Sequence, residues 1–262
     1  MKVRVWMERM VILDLLAVAL LLFVRGFVEP AVDAHSAAVV QAGEVQGQIG
    51  TGKEWNGAQV QTETGQQGHP LTQDNTGQQG KVALTFDDGP HPKYTEELLD
   101  GLKERGVHVT FFVTGEHAEQ YPELIRRMSD EGHLIGNHTY SHIQLKKNNH
   151  EKFKEELIRT NEIISGITGR DVTFVRPPYG TWEKKFETEL NMFPVLWNID
   201  PLDWCSDNAD CVSRKVLSKV KENDIILLHD QYESSVQAAL AIVDAMQKEG
   251  YEFVTVEEIL FD

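Results

Sequence analysis

Cysteine is scarce in this chain of 262 residues, and so is positive charge. Only Cys205 and Cys211 are present, which excludes a disulfide-rich scaffold, and neither has a further Cys or His close by to complete a zinc site. Lys and Arg total 25 against 41 Asp and Glu, a net charge of -16. A chain so acidic offers no basic patch to neutralise phosphates, so nucleic acid is excluded as a partner. Large apolar residues are almost missing from residues 35–80, where stretches such as "TETGQQGHPLTQDNTGQQG" cannot bury enough surface to offset the entropy of ordering them. Residues 31–80 are therefore expected to be a flexible tether.

Long apolar runs are also few. The clearest extends from Met10 to Val24, broken only by Asp14 and preceded by Lys2, Arg4 and Arg9. It is short for a spanning helix of about 20 residues but fits the apolar part of an export signal. The basic residues ahead of it favour export of the chain downstream. Residues 1–30 are expected to be a signal-anchor, with a signal peptide cleaved near Val32 and Ala34 as the alternative. Either reading puts residues 81–262 outside the cytoplasm, held at the cell membrane or secreted. In that setting Cys205 and Cys211 are expected to form a disulfide, against two free thiols or half of a metal site.

What the chain does have begins at Lys81. Seven strand-like runs, at 81–86, 107–113, 133–137, 172–176, 193–198, 224–229 and 251–256, alternate with amphipathic helical stretches. The pattern predicts a parallel α/β sheet, either closed into a barrel or doubly wound. Polar residues gather just after the strands. Asp87 and Asp88 follow the first, His138 the third, Asp200 and Asp203 the fifth, while Arg176 ends the fourth and His229 the sixth. Five strand ends thus point to one rim.

The chemistry of that rim is specific. His138 and His142 are four apart, a spacing that on a helical turn puts both rings on one face, although surface pairs show it too. With a carboxylate from the first strand end they make an N,N,O set with open positions, suited to Zn²⁺ or another divalent ion such as Co²⁺. Asp87 and Asp88 are adjacent, so both reach one site only where the strand turns through Gly89 and Pro90. One then binds the metal and the other is free to take a proton. Arg176 is suited to hold a carboxylate, and His229 to act as an acid, though each residue type also occurs there in purely structural roles.

In order, "TFDDGP" (85–90), "HTYSH" (138–142), "RPPYG" (176–180), "DPLDW" (200–204) and "IILLH" (225–229) closely resemble the five motifs of the polysaccharide deacetylase family, carbohydrate esterase family 4. With the amino-terminal anchor and tether, the chain also resembles membrane-bound bacterial peptidoglycan N-acetylglucosamine deacetylases. The resemblance implies a distorted parallel (β/α) barrel of about seven strands and a metal-dependent hydrolase removing N-acetyl groups. It makes Asp87 the base, His229 the acid, and Asp88, His138 and His142 the metal ligands. Arg176 and Asp203 orient base and acid, the Tyr179 N–H holds the oxyanion, and Tyr179, Trp204 and Leu227 meet the substrate. A monomeric domain acting on N-acetylated cell-wall polysaccharide is expected. Chitin oligomers or acetylxylan are the alternative substrates. A non-catalytic glycan-binding module is a further alternative, but binding alone would not require Asp87 and His229.

Overall fold

The computed structural model describes residues 80–261. The expected anchor at 1–30 and nearly all of the tether at 31–80 lie outside the described residues. Seven strands alternate with helices, as the sequence pattern predicts: β1 (Gly80–Asp87), α1 (Tyr94–Arg105), β2 (Thr110–Val113), α2 (Gly115–Gln120), α3 (Pro122–Asp130), β3 (Leu134–Asn137), α4 (His150–Thr168), β4 (Phe174–Val175), α5 (Lys185–Leu190), β5 (Phe193–Pro194), α6 (Ala209–Leu217), β6 (Ile225–His229), α7 (Glu233–Lys248), β7 (Tyr251–Val254) and α8 (Val256–Phe261). All ladders are parallel. The sheet runs β5-β4-β3-β2-β1-β6, and β7 pairs the first half of β1.

Each strand is sorted by its alternation. In β1, Val82, Leu84 and Phe86 pack with Leu98, Leu99 and Leu102 of α1 and Ile242, Val243 and Met246 of α7. Ala83 faces the other way, into an inner core with Phe112, Phe174, Val195 and Ile225. Thr85 and Asp87 share that inner face by period two, and so do Leu227 and His229 beyond Ile225. A strand buried on both faces reads as a nearly continuous apolar run, which is what β1 and β6 show. Gly106 then ends α1 with φ 62°, a left-handed cap that costs glycine little.

β4 and β5 are shorter than the runs at 172–176 and 193–198 suggested, β4 for a local reason and β5 for a distant one. Pro177 and Pro178 have no N–H to extend β4. After β5 the chain changes partners: Val195 N–H donates to Val175 O at 2.8 Å, whereas Asn198 N–H donates to Ile225 O at 2.9 Å. A single parallel bridge, Ile199 with Ile226, carries the sheet round to β6. The result is a curled and distorted parallel barrel.

The expected disulfide is not formed: Cys205 and Cys211 are both free. The Cys205 thiol donates to Leu202 O at 3.1 Å, and Cys211 lies in the first turn of α6, its N–H donating to the Asn208 side chain at 2.9 Å. The start of α6 at Ala209 lies between the two residues.

Candidate active site

Asp87 ends β1 on its inner face, 3% exposed, and there it meets Arg176. The Arg176 guanidinium is wholly buried. Its Nη1 donates to Asp87 Oδ1 at 2.8 Å and to Thr85 Oγ1 at 2.6 Å, and its Nε donates to Val195 O at 3.1 Å. It also lies 4.2 Å from the Phe112 ring centre. Burial lowers its pKa, and the neighbouring Asp87 charge opposes that. An arginine so placed fixes one oxygen of Asp87 and leaves the second facing the rim.

Asp88 is one residue past the strand, with φ 73°. This left-handed turn swings its carboxylate toward His138 and His142. His138 Nε2 is 3.3 Å and His142 Nε2 3.4 Å from Asp88 Oδ1. The three ligand atoms all lie within 4.8 Å of one another. Burial pushes the Asp88 carboxyl up, but His138, His142 and His229 outweigh it and hold the group well below the usual carboxylate range. The histidines are carried by a loop and not by the helical turn their spacing suggested. Thr139 and His142 have φ 62° and 53°, and Asn137 Oδ1 accepts the Thr139 N–H at 2.7 Å. Glu156 of α4 anchors the same loop by accepting both the N–H and the hydroxyl of Ser141.

A divalent ion fits this donor set. Asp88 Oδ1 is buried with no hydrogen-bond partner in the protein. His138 Nδ1 donates to Arg176 O at 2.5 Å, which leaves the Nε2 lone pair turned to Asp88. Two imidazole nitrogens and one carboxylate oxygen, with open positions, suit zinc or a similar ion.

Across from Asp87, His229 ends β6. Its Nδ1–H and its backbone N–H both donate to Asp203, at 2.9 and 2.8 Å, and Ser235 Oγ adds a third bond at 2.6 Å. Burial lowers the His229 pKa, but the Asp203 hydrogen bond and charge, with Asp87 and Asp88, lift it to about 9. Its Nε2 faces the centre, 3.9 Å from Asp88 Oδ2. The rim thus holds a fixed carboxylate on one side of the Asp88, His138 and His142 cluster and an imidazole of raised pKa on the other.

The remaining expected residues surround this core. The Tyr179 ring is 57% exposed and 5.0 Å from that of His142, in a turn where φ is 60°. Leu227 is buried on the inner face two residues before His229. Trp204 is half-buried, in the short turn Asp203–Cys205 that also carries Asp203. Asp200, read as part of the same cluster, instead caps that turn by accepting the Leu202 N–H. Sequence reasoning missed Thr85 and Ser235, which brace Arg176 and Asp203. Thr85 was open to discovery, since it lies two before Asp87 on one strand face. Ser235 had no local signal.

Residues 74–195 match the family model described as polysaccharide deacetylase. A peptidoglycan-N-acetylglucosamine deacetylase of Bacillus cereus is 40% identical over 182 residues, covering 67% of this chain and 66% of the relative. The solved structure of peptidoglycan deacetylase PdaC from Bacillus subtilis is 38% identical with a TM-score of 0.67, covering 70% of this chain and 91% of that one. The whole of that relative, a peptidoglycan-N-acetylmuramic acid deacetylase, is covered to 38%. A family 4 acetyl xylan esterase from Clostridium thermocellum, solved with a cobalt ion, is 32% identical with a TM-score of 0.64, covering 68% of this chain and 89% of that one. The chain spans under two thirds of the length of both curated relatives. On the family-model match, the relatives' identity and the shared fold, the chain belongs to the polysaccharide deacetylase family.

Proposed function

We propose that this chain is a divalent-metal-dependent hydrolase that removes N-acetyl groups from N-acetylglucosamine residues of cell-wall glycan, releasing acetate. The observation that carries the reading is the opposed pair, Arg176 on Asp87 and Asp203 on His229, flanking Asp88, His138 and His142. A binding module has no use for a fixed carboxylate facing a raised imidazole. An ion held by the triad, with zinc the one we favour, would supply Lewis acidity and a water of lowered pKa. The chain supplies the rest. Asp87, held at Oδ1 by Arg176, takes the proton from the attacking water through its free oxygen. The Tyr179 N–H donates to the oxygen that becomes negative in the tetrahedral intermediate. His229, kept protonated by Asp203, gives its Nε2 proton to the leaving amine. Leu227 and Trp204 border the space for the acetyl methyl.

The glycan we favour is peptidoglycan, as supported by the names of the Bacillus relatives. We also propose that residues 1–30 anchor the protein at the membrane, with the domain at 81–262 on the outer side and acting as a monomer, which the basic-then-apolar order of the amino terminus supports. No helix among the described residues is long and apolar enough to cross a membrane. The test is acetate release by the purified chain from peptidoglycan, chitin oligomers and acetylxylan, with and without chelator. Chelator-sensitive release, fastest from peptidoglycan, is expected. No metal-dependent acetate from any of the three overturns the reading.

A further inference from the structure

We propose that His117 and Gln231 are positioning residues for the metal centre, acting on the main chain of Asp88. The proposal deepens the metal-centre reading above and rests on it. Asp88 holds φ 73°, a left-handed conformation that a non-glycine residue keeps only where the surroundings impose it. Its carbonyl oxygen accepts two hydrogen bonds, from His117 Nδ1 at 2.7 Å and Gln231 Nε2 at 2.8 Å. A carbonyl only accepts, so His117 carries its proton on Nδ1. The 3.4 Å approach of Gln231 Nε2 to that nitrogen is then contact without a hydrogen bond. His117 comes from α2 and Gln231 from just beyond His229, so two separate elements grip one peptide.

The next residue is fixed as well. A Cβ on Gly89 would collide with both Asp230 carboxylate oxygens, so the turn lies directly on that buried side chain. Asp230 accepts from Thr95 Oγ1 at 2.5 Å, and Thr95 Oγ1 accepts the His91 N–H at 2.7 Å. Gly89 O in turn accepts the Thr114 N–H at 3.2 Å. With its flank packed in this way, the free choice left to the turn is the tilt of the Asp88 peptide, and the two donors on its carbonyl set it. Without them, Asp88 is free to relax out of the left-handed region. Its carboxylate then turns away from His138 and His142.

The experiment uses the full chain, stripped of metal, as wild type, His117→Ala, His117→Asn, Gln231→Ala and the double alanine variant. Zn²⁺ alone is titrated by calorimetry, and thermal unfolding of each metal-free protein is recorded beside it. The alanine variants are expected to lose about 10- to 100-fold in metal affinity, the double variant more, while metal-free Tm shifts by only a few degrees. His117→Asn is expected to recover most of the affinity, because the Asn Nδ2 donor stands where Nδ1 stood. Wild-type affinity in the double variant overturns the proposal. Equal weakening in His117→Asn and His117→Ala overturns it too, since ring packing and not the donor would then matter. A wild-type chain that binds no Zn²⁺ overturns the metal centre and the clamp together. One that binds metal but releases no acetate overturns the hydrolase reading alone.

Discussion

Replacing Asp203 by Asn changes the charge behind His229 while keeping the shape of a side chain that is only 1% exposed. In the wild type, the ring is lifted from the ordinary 6.5 to about 9, with the Asp203 hydrogen bond and charge as the leading lifting contributions. That gap corresponds to about 3 kcal/mol of preference for the charged ring. Without the carboxylate, burial dominates and the pKa falls to the ordinary value or below. At pH 8 the protonated fraction then drops from about nine-tenths to a few hundredths, roughly a thirtyfold loss. Because the folded pKa is the raised one, the matching contribution to stability is complete below about pH 6.5 and is lost as pH rises through about 9. The assay is kcat against pH for acetate release, with denaturant unfolding at pH 6 and pH 9.5. The alkaline limb is expected near pH 9 in the wild type and at about pH 6.5 or below in Asp203→Asn. The variant's stability deficit should be about 3 kcal/mol at pH 6 and small at pH 9.5. A variant whose kcat falls equally at every pH, with its alkaline limb unmoved, refutes the idea that Asp203 sets the His229 proton.

Arg176→Met leaves the Asp87 carboxylate buried without its partner, and denaturant unfolding should show a loss of about 3–5 kcal/mol. The double variant with Asp87→Asn should regain much of that stability but no activity, and failure to regain any would count against the pairing. Gly136→Ala puts a Cβ 2.5 Å from the Phe112 ring and 3.1 Å from Phe174 O, so a loss of about 1–3 kcal/mol is expected, and an unchanged Tm would contradict the packing. Cys205 and Cys211 are separate thiols, so a reductant should leave Tm within about 1 °C and both should react with a thiol reagent; a reductant-sensitive Tm would restore the disulfide.

Much of the fold was legible because the determinants are local. β1 and β6 are apolar runs bounded by turn residues, and the leucines of α1 recur at helical spacing. The site was legible for a related reason: Asp87, Arg176 and His229 stand at or beside strand ends, which parallel pairing brings to one rim. What was not legible depends on distant partners. β5 is cut short because the chain after it crosses to β6. The loop of His138 and His142 is left-handed at two positions because Asn137 and Glu156 hold it there. Ser235, His117 and Gln231 act on residues far away in sequence, and nothing in their own neighbourhoods marks them. The two cysteines are free although close in sequence, since spacing alone does not set the geometry a disulfide needs.

The register of β1 against β6 has a bearing on when the protein becomes competent. Asp87 and His229 are direct ladder partners across the two strands, yet they stand over half the chain apart in sequence. The two groups that the proposed function makes proton acceptor and proton donor are therefore set opposite each other by backbone pairing, and a slip of one residue would turn His229 toward the helix layer. During synthesis, β1 emerges well before the strand that supplies its counterpart. A growing chain can bury Val82, Leu84 and Phe86 against α1 but stays inert until residues 225–229 have joined it. Shortened products ending before that strand would lack His229 and Asp87's ladder partner, so assembly of the site and completion of the fold arrive as one event.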